Sequence, residues 1–377
     1  MGLQEHINAL PLRRSWEIPS SEENICCIAL QQDLDKLIPL VKNFPALKIR
    51  LILVPDLSEK GSMRLQLPTE QGPTSIPLAN LQTTASIPPW KKLILCRPDA
   101  SGAAVAAIFC RYLATRGIER VLLYGGCPRT FGVQPPLPDF FSRYAEQLQE
   151  VYDQLADDAS REAYAGRIKA LMTGNAGWLP LALHQEYYHP HVHPERGDIM
   201  LDGGVSDMVG AQEQFAQSVG TDGHIFGFEP LPGMAELARQ QLAAFPCYHL
   251  QAMGLGDAPG EVRFRYLRDS SRIAENCGDE DSVLCQMTSI DAFVRKHHLG
   301  RVDCIKLDVE GAEMLALSGG KETIAKLLPK LIVCLYHQPE DMVNIPLYIR
   351  KIAPSYKLYV AHSSAVFTDT ILYARPA

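Results

Sequence analysis

Three stretches of the 377-residue sequence combine glycines and acids at spacings that suit ligand chemistry. The first is Leu201-Asp202-Gly203-Gly204-Val205-Ser206, an apolar run that breaks into a Gly-rich turn ahead of a helix-like stretch from Gln212 to Val219. Glycine at a strand-to-helix turn lets the backbone approach a ligand where a Cβ would collide with it. The G-x-G-x-x-G fingerprint is absent, so a pyrophosphate-binding turn is not indicated. The second stretch, Phe226-Gly227-Phe228-Glu229-Pro230, puts a carboxylate at the expected C-terminal end of the next strand. There it can accept hydrogen bonds from both hydroxyls of a ribose, although a strand-ending acid is also a common helix cap. The third stretch runs from Val302 to Glu313 and clusters Asp308, Glu310 and Glu313 where a strand gives way to a helix. Acids suit a helix N-terminus through the macrodipole, which accounts for Glu313. Lys306 and Asp308 share a strand face by the period of two, so each can tune the other's charge.

The histidines give weaker signals. His189-Pro190-His191-Val192-His193-Pro194 would set alternate imidazoles on one face of an extended chain, an arrangement open to metal binding. The prolines make it equally a stiff loop, and no Cys or carboxylate completes a ligand spacing, so no metal is expected. His297 and His298 at a helix end suit the dipole without a further role.

The elements that must position these residues alternate in the pattern of parallel sheets covered by helices. In the second half, strands are expected at Ile199–Leu201, His224–Phe228, Cys247–Gln251, Val302–Leu307, Leu331–Leu335, Tyr356–Val360 and Thr370–Ala374. The last two are too close for a crossover helix and should form an antiparallel hairpin. Upstream, Ile25–Leu30, Ile49–Val54, Leu93–Cys96 and Val121–Tyr124 read as buried strands, with helices at Leu34–Val41 and Ala103–Leu113 and Pro-rich loops over 68–90. Apolar residues at helical spacing from Phe140 to Leu155, and again from Tyr164 to Leu171, read as a helical connector. The expected fold is α/β: a Rossmann-like accessory domain over residues 1–135, a connector over 136–180, and a larger Rossmann-like domain over 181–377 with a seven-stranded sheet ending in the hairpin.

Bulk properties narrow the partners. Hydrophobic residues at 46% and charged residues at 21% are those of a globular protein, and no apolar run is long enough for a membrane span. A net charge of -7 argues against a nucleic-acid surface. The ten cysteines never form a C-x-x-C pair and read as reduced thiols. The N-terminal residues lack the order of a secretory signal, so the expected compartment is the cytoplasm.

With these residues in view, the sequence resembles the FkbM-type methyltransferases. The resemblance runs from about Leu155 to the C-terminus and rests chiefly on VDCIKLDVEGAE, with LDGG, IFGFEP, QEYYHP and PKLIVCLYH around it. It implies S-adenosyl-L-methionine as methyl donor and O-methylation of a hydroxyl on a sugar, glycan or related metabolite. Carried over by residue, it implies that Asp202, Gly203, Gly204, Val205 and Ser206 border the cofactor, that Glu229 and Pro230 hold its ribose, and that Met253, Gly254 and Leu255 line its adenine. Tyr187 and Tyr188 would cover the cofactor, and Asp308 would lie beside its methionine end or the acceptor. His337 has the pKa range of a general base, with Asp308 as the competing base. Two departures stand out: Met208 occupies a position where the family has a glycine, and Leu335 stands where a Glu commonly precedes the His. The partners expected are then a small-molecule or glycan acceptor, with a homo-oligomer left open. Two rival readings remain: a degenerate methyltransferase-like interaction module, and a nucleotide-sugar protein run by residues 1–135. Against the latter, Leu30 is followed by Gln31, Gln32 and Asp33 rather than a Gly-rich loop.

Overall fold

The computed structural model describes residues 2–11, 24–28, 48–54, 64–69, 72–80, 92–96, 120–124, 136–205, 209–267, 270–273, 282–364 and 367–377. The chain divides into two compact units. One comprises Met1–Arg143, Glu162–Leu183 and His362–Thr368; the other comprises Tyr144–Arg161, His184–Ala361 and Asp369–Ala377.

The first unit holds α1 (Leu3–Ala9) and a sheet built from β1 (Asn24–Ile28), β2 (Lys48–Val54), β3 (Arg64–Thr69), β4 (Gly72–Asn80), β5 (Lys92–Cys96) and β6 (Arg120–Tyr124), in the order β3-β4-β2-β1-β5-β6. All its neighbours pair in parallel except β3 with β4. The four strands expected from apolar runs are present. The region expected as Pro-rich loop instead contains the β3–β4 pair. Pro73 and Pro77 fall in the part of β4 that faces only β3, because its register with β2 covers only Leu78–Asn80. A strand with a single neighbour tolerates a missing N–H. The helices expected at 34–41 and 103–113 lie outside the described residues.

Two helices follow, α2 (Phe140–Gln154) and α3 (Asp158–Thr173), as the connector pattern predicts. The second unit then builds on β7 (Ile199–Gly203), α4 (Gly210–Val219), β8 (His224–Phe228), α5 (Pro232–Gln241) and β9 (Tyr248–Gln251). A four-stranded sheet comes next, from β10 (Gly254–Gly256), β11 (Gly260–Leu267), β12 (Ser270–Ile273) and β13 (Ser282–Ser289). The chain finishes with α6 (Ile290–Lys296), β14 (Cys304–Leu307), α7 (Glu313–Gly319), α8 (Lys321–Leu327), β15 (Lys330–Cys334), α9 (Asp341–Ile352), β16 (Tyr356–His362) and β17 (Thr370–Pro376).

The main sheet has seven strands in the order β16-β17-β15-β14-β7-β8-β9. From β9 to β15 all pairs are parallel, and β17 joins β15 antiparallel. Every residue of β14, and all but the first of β7 and β15, is buried, as expected of parallel strands covered on both faces. Burial therefore extends to Lys306 in β14. The strand order reverses between β7 and β14, and both strands end at the same edge, so ligand chemistry belongs there. Among the described residues no helix is long and apolar enough to cross a membrane.

Candidate active site

The edge formed by the C-terminal ends of β7, β8 and β14 gathers the three stretches singled out in the sequence. Gly204 follows β7 with φ +85°, and a Cβ there would lie 1.7 Å from the Asp308 carbonyl oxygen. Glycine is needed at that position both for its φ and for the approach of the next strand's end. The turn is tied to β8 by the N–H groups of Gly204 and Val205, which donate to the Phe228 carbonyl at 3.0 and 3.2 Å. Glu229 follows directly and is buried, and its Oε1 accepts from the Leu231 N–H at 2.9 Å. Pro230 meets Gly254, where an added Cβ would approach it to 3.3 Å, and Leu255 packs against the Gly203 position. The segments expected to hold a nucleoside thus converge, with Met253 between β9 and β10. Ser206 and Met208 lie outside the described residues.

Asp202 is engaged within the protein rather than turned toward an opening. It is fully buried; Lys306 Nζ lies 3.2 Å from its Oδ1, while Tyr248 and Gln212 donate to Oδ2 at 2.6 and 3.3 Å. Lys306 also donates to the Gly203 and Gly204 carbonyls at 3.1 and 2.8 Å, so the pair shapes the Gly-rich turn from below. Burial pulls the Lys306 pKa down, but Asp202 and Asp308 outweigh it and hold it up at about 12. Tyr248 can reach Asp202 because β8 has Gly227 alongside: a Cβ there would lie 2.5 Å from the ring.

Beyond β14 the chain turns sharply through Glu310 and Gly311, both with positive φ (55° and 97°). A non-glycine residue in that region is uncommon and marks a backbone held for a purpose. The turn brings Glu313, fully buried at the start of α7, back toward the end of β15, where His337 Nδ1 lies 2.9 Å from its Oε1. On the other side of the ring, Nε2 is 3.5 Å from Asp308 and 3.7 Å from Glu310. Burial would lower the His337 pKa, but Glu313, Asp308 and Glu310 together raise it to about 9. Asp308 is half-buried and accepts from the Tyr187 hydroxyl at 2.8 Å and the Tyr336 hydroxyl at 2.9 Å. Its burial favours the protonated form, yet Lys306 and His337, with the two hydroxyls, keep it below the usual carboxylate range. The face-sharing of Lys306 and Asp308 expected from the strand period therefore has its electrostatic consequence.

The acids here outnumber the cations. Glu186 is pushed well above the normal carboxyl range by burial and by Asp369 and Asp308, and Asp341 is pushed up to about 7 by burial and Glu313. Asp308, Glu313 and His337 offer ligand atoms within 4.8 Å of one another, the group of that kind found among the described residues. A cation entering it would have to displace the proton that the raised His337 pKa retains. The His189–His193 segment is instead structural at its core: His189 is buried against Tyr359 and Tyr373 and held down to about 4 by burial and His184.

The two tyrosines expected to act together are separated. Tyr187, with φ 62°, reaches Asp308, while the Tyr188 hydroxyl pairs with Ser218 at 2.9 Å and its ring packs on Phe215. Sequence reasoning missed Tyr336, Glu186 and the partnership of Glu313 with His337. The signal for Tyr336 was its place beside His337; for Glu313 there was none, since its position depends on the left-handed turn.

A family model described as the methyltransferase FkbM domain matches residues 202–357, which contain Asp202, Glu229, Asp308, Glu313 and His337. Those residues form an FkbM methyltransferase domain. The solved structure of a methyltransferase FkbM from Methylobacillus flagellatus KT has a similar fold, with 18% identity, coverage of 99% of this chain and 98% of that one, and a TM-score of 0.51. Fibrillarin from Aeropyrum pernix, in complex with natively bound S-adenosyl-L-methionine, is 13% identical over 48% of this chain and 67% of that one, with a TM-score of 0.32. A SAM-dependent methyltransferase from Aquifex aeolicus is 11% identical over 50% of this chain and 87% of that one, with a TM-score of 0.31. No curated protein matches the chain. Position 335 is Leu, and the carboxylate nearest His337 comes from another element, Glu313 at the start of α7.

Proposed function

We propose that the protein is an S-adenosyl-L-methionine-dependent O-methyltransferase acting on a hydroxyl of a sugar, glycan or related metabolite, with His337 as general base. The observation that carries this reading is the Glu313–His337–Asp308 array at the ligand-bearing edge of an FkbM domain. The residues fit the donor on two counts: Glu229 brings a buried carboxylate to the strand end beside the Gly-rich turn, and Asp308 stays anionic where a cation would be balanced. When bound, S-adenosyl-L-methionine supplies an electrophilic methyl group on a sulfonium.

The chain's own residues do the rest. Glu229, whose Oε1 accepts from the Leu231 N–H, would accept hydrogen bonds from the ribose hydroxyls, and Gly203 and Gly204 leave backbone where a side chain would intrude. Tyr187 and Tyr336 fix the Asp308 carboxylate, an anion that would balance the sulfonium of a bound donor. The Glu313 carboxylate lies against the Nδ1 side of His337, leaving Nε2 to take the proton of the acceptor hydroxyl. His337 must be neutral to do so. A cation sharing Asp308 withdraws part of the support for the imidazolium, which lowers the pH at which His337 becomes a base. Holding the acceptor oxygen in line with the methyl group contributes much of the acceleration. In the same reading residues 1–135 are an accessory Rossmann-like domain, 136–180 a connector and 181–377 the methyltransferase domain, since every residue named for the chemistry falls in the last.

The deciding experiment incubates the protein with methyl-labelled donor and fractionated cell metabolites, followed by mass spectrometry. A labelled methyl ether in a polyhydroxylated product is the expected result. Absence of donor binding in the folded protein would favour a degenerate interaction module.

A further inference from the structure

A cleft of about 410 Å³ opens at the edge of the main sheet opposite the candidate active site, lined by His191, His193, Glu195, Lys330 and Arg375 among others. Its volume falls within the range of small-ligand sites. Lys330 begins β15, and Leu331 pairs with Ala374 of antiparallel β17, so Lys330 and Arg375 sit side by side where the two strands leave the sheet. The five residues of β15 rise by roughly 16 Å toward the His337 edge, too far for one small ligand to serve both places.

The formal charges here balance, Lys330 and Arg375 against Glu195 and Asp198, but the pairing is uneven, because both carboxylates lie on Lys330. Lys330 is already neutralised, with Glu195 at 2.6 Å and Asp198 at 2.8 Å from its Nζ. Arg375 has no carboxylate partner among the described residues, and its Nε is buried with no hydrogen-bond acceptor. Leaving a buried guanidinium N–H unmet is costly, and proteins ordinarily supply an acceptor. Beside it, His193 Nδ1 lies 2.9 Å from the His189 carbonyl and must donate there, so Nε2 is the ring's remaining polar atom. His191 stands next to it, exposed, with its ring 5.1 Å from that of Tyr359. The cleft therefore presents a guanidinium with an unmet N–H and no carboxylate in direct contact, two imidazoles, and a lysine already paired with two carboxylates. A guanidinium's planar fork matches an oxyanion, which it can take through two parallel hydrogen bonds.

We infer that this cleft binds the oxyanion group, phosphate or carboxylate, of a small molecule other than the methyl donor and acceptor, with Arg375 as its principal contact. The site is independent of the methyl-transfer reading and stands whether or not His337 is a base.

The test is nuclear magnetic resonance of the full chain with isotope-labelled histidine, the His193 signals being assigned with His193→Gln. Inorganic phosphate and acetate are titrated in separate arms. A saturable shift of the His193 signals is expected, and the arm that produces it says whether phosphate, carboxylate or both are accepted. Arg375→Gln should raise the half-saturation concentration by about tenfold or more, the consequence of losing a charged hydrogen bond. Unchanged His337 signals report that the variant is folded, and Arg375→Lys, which keeps the charge but not the fork, carries the same comparison if Arg375→Gln does not fold. No saturable shift in either arm, or the same midpoint in a folded Arg375 variant, overturns the proposal.

Discussion

Lys306 and Asp308 stand two residues apart at the end of β14, yet they belong to charge clusters of opposite character. Lys306 pairs with Asp202, and neither side chain is more than 2% exposed; one cation meets one anion, and Tyr248, Gln212 and two backbone carbonyls complete the set. Asp308 is 19% exposed and shares His337 with Glu310 and Glu313, so three carboxylates surround one imidazole. A balanced, closed cluster has nothing left to offer a substrate and acts on the backbone around it. An acid-rich cluster with two partly exposed members, Asp308 and Glu310, can exchange its proton and accept a further cation. The difference between a brace and a reactive centre thus lies in charge balance and access, since the residue types are nearly the same.

The largest expected effect falls on the reactive cluster. His337→Ala should lower kcat by roughly two to four orders of magnitude, the usual scale for a general base, while donor affinity measured by calorimetry stays nearly unchanged. If Asp308→Asn has that effect and His337→Ala does not, the base is Asp308. Chelators should leave the wild-type rate unaltered; a loss restored by a divalent ion would make Asp308, Glu313 and His337 ligands instead.

The brace should respond in stability. Lys306→Met leaves Asp202 charged and uncompensated in the interior, at a cost of about 3–5 kcal/mol in urea unfolding. Adding Asp202→Asn should recover a large share of it, because the remaining groups are neutral and Tyr248 and Gln212 keep a partner. A loss below about 1 kcal/mol in the single variant would mean that the pair is not the support of the turn.

The pH dependence separates the clusters further. The rate should rise with pH as His337 loses its proton, levelling at or below about 9. Glu313→Gln removes the nearest anion and should move that midpoint down; an unmoved midpoint would assign the titration elsewhere. The stability linkage has the opposite direction. The folded-state pKa of His337 is raised from 6.5 to about 9, so its contribution is complete below 6.5 and is lost as pH rises through 9. The enzyme should therefore lose stability over the window in which it gains activity.

Much of the second unit was legible because its parallel strands are short apolar runs, and six of the seven strands of the main sheet begin within one residue of where those runs do. The sheet from Gly254 to Ser289 was not. Its strands alternate polar and apolar residues, as in Gly260–Leu267, and only one face joins the cluster of Leu231, Phe264, Cys285 and Met287. Within the site, Glu229, Asp308 and His337 were readable as chemistry-bearing side chains at strand ends. The pairing of Glu313 with His337 was not, because it depends on two consecutive residues of positive φ, and the helix-dipole explanation for an acid at that position was sufficient by itself. Asp202 was readable as an acid beside a Gly-rich turn, but its direction is set by Lys306, which hydrophobic patterning would never place in a fully buried strand.

A matched pair of small changes gives the finest version of the comparison. Tyr248 donates to Asp202 at 2.6 Å and Tyr336 donates to Asp308 at 2.9 Å, so each Tyr→Phe change removes one hydroxyl from one cluster. A hydrogen bond to a charged group contributes about 1.5–3 kcal/mol. In Tyr248→Phe the loss falls on a carboxylate that water cannot reach, and it should appear as reduced stability with kcat almost unchanged. In Tyr336→Phe the carboxylate is partly exposed and water can replace the hydroxyl, so stability should change little. What changes there is the orientation and acidity of Asp308: with one donor fewer its pKa moves up, its hold on the imidazolium weakens, and kcat should fall by about tenfold or less. Unfolding curves and rates measured on both variants read the two effects side by side. If Tyr336→Phe destabilises as much as Tyr248→Phe and leaves kcat untouched, Asp308 is a second brace, and the distinction drawn between the two clusters fails.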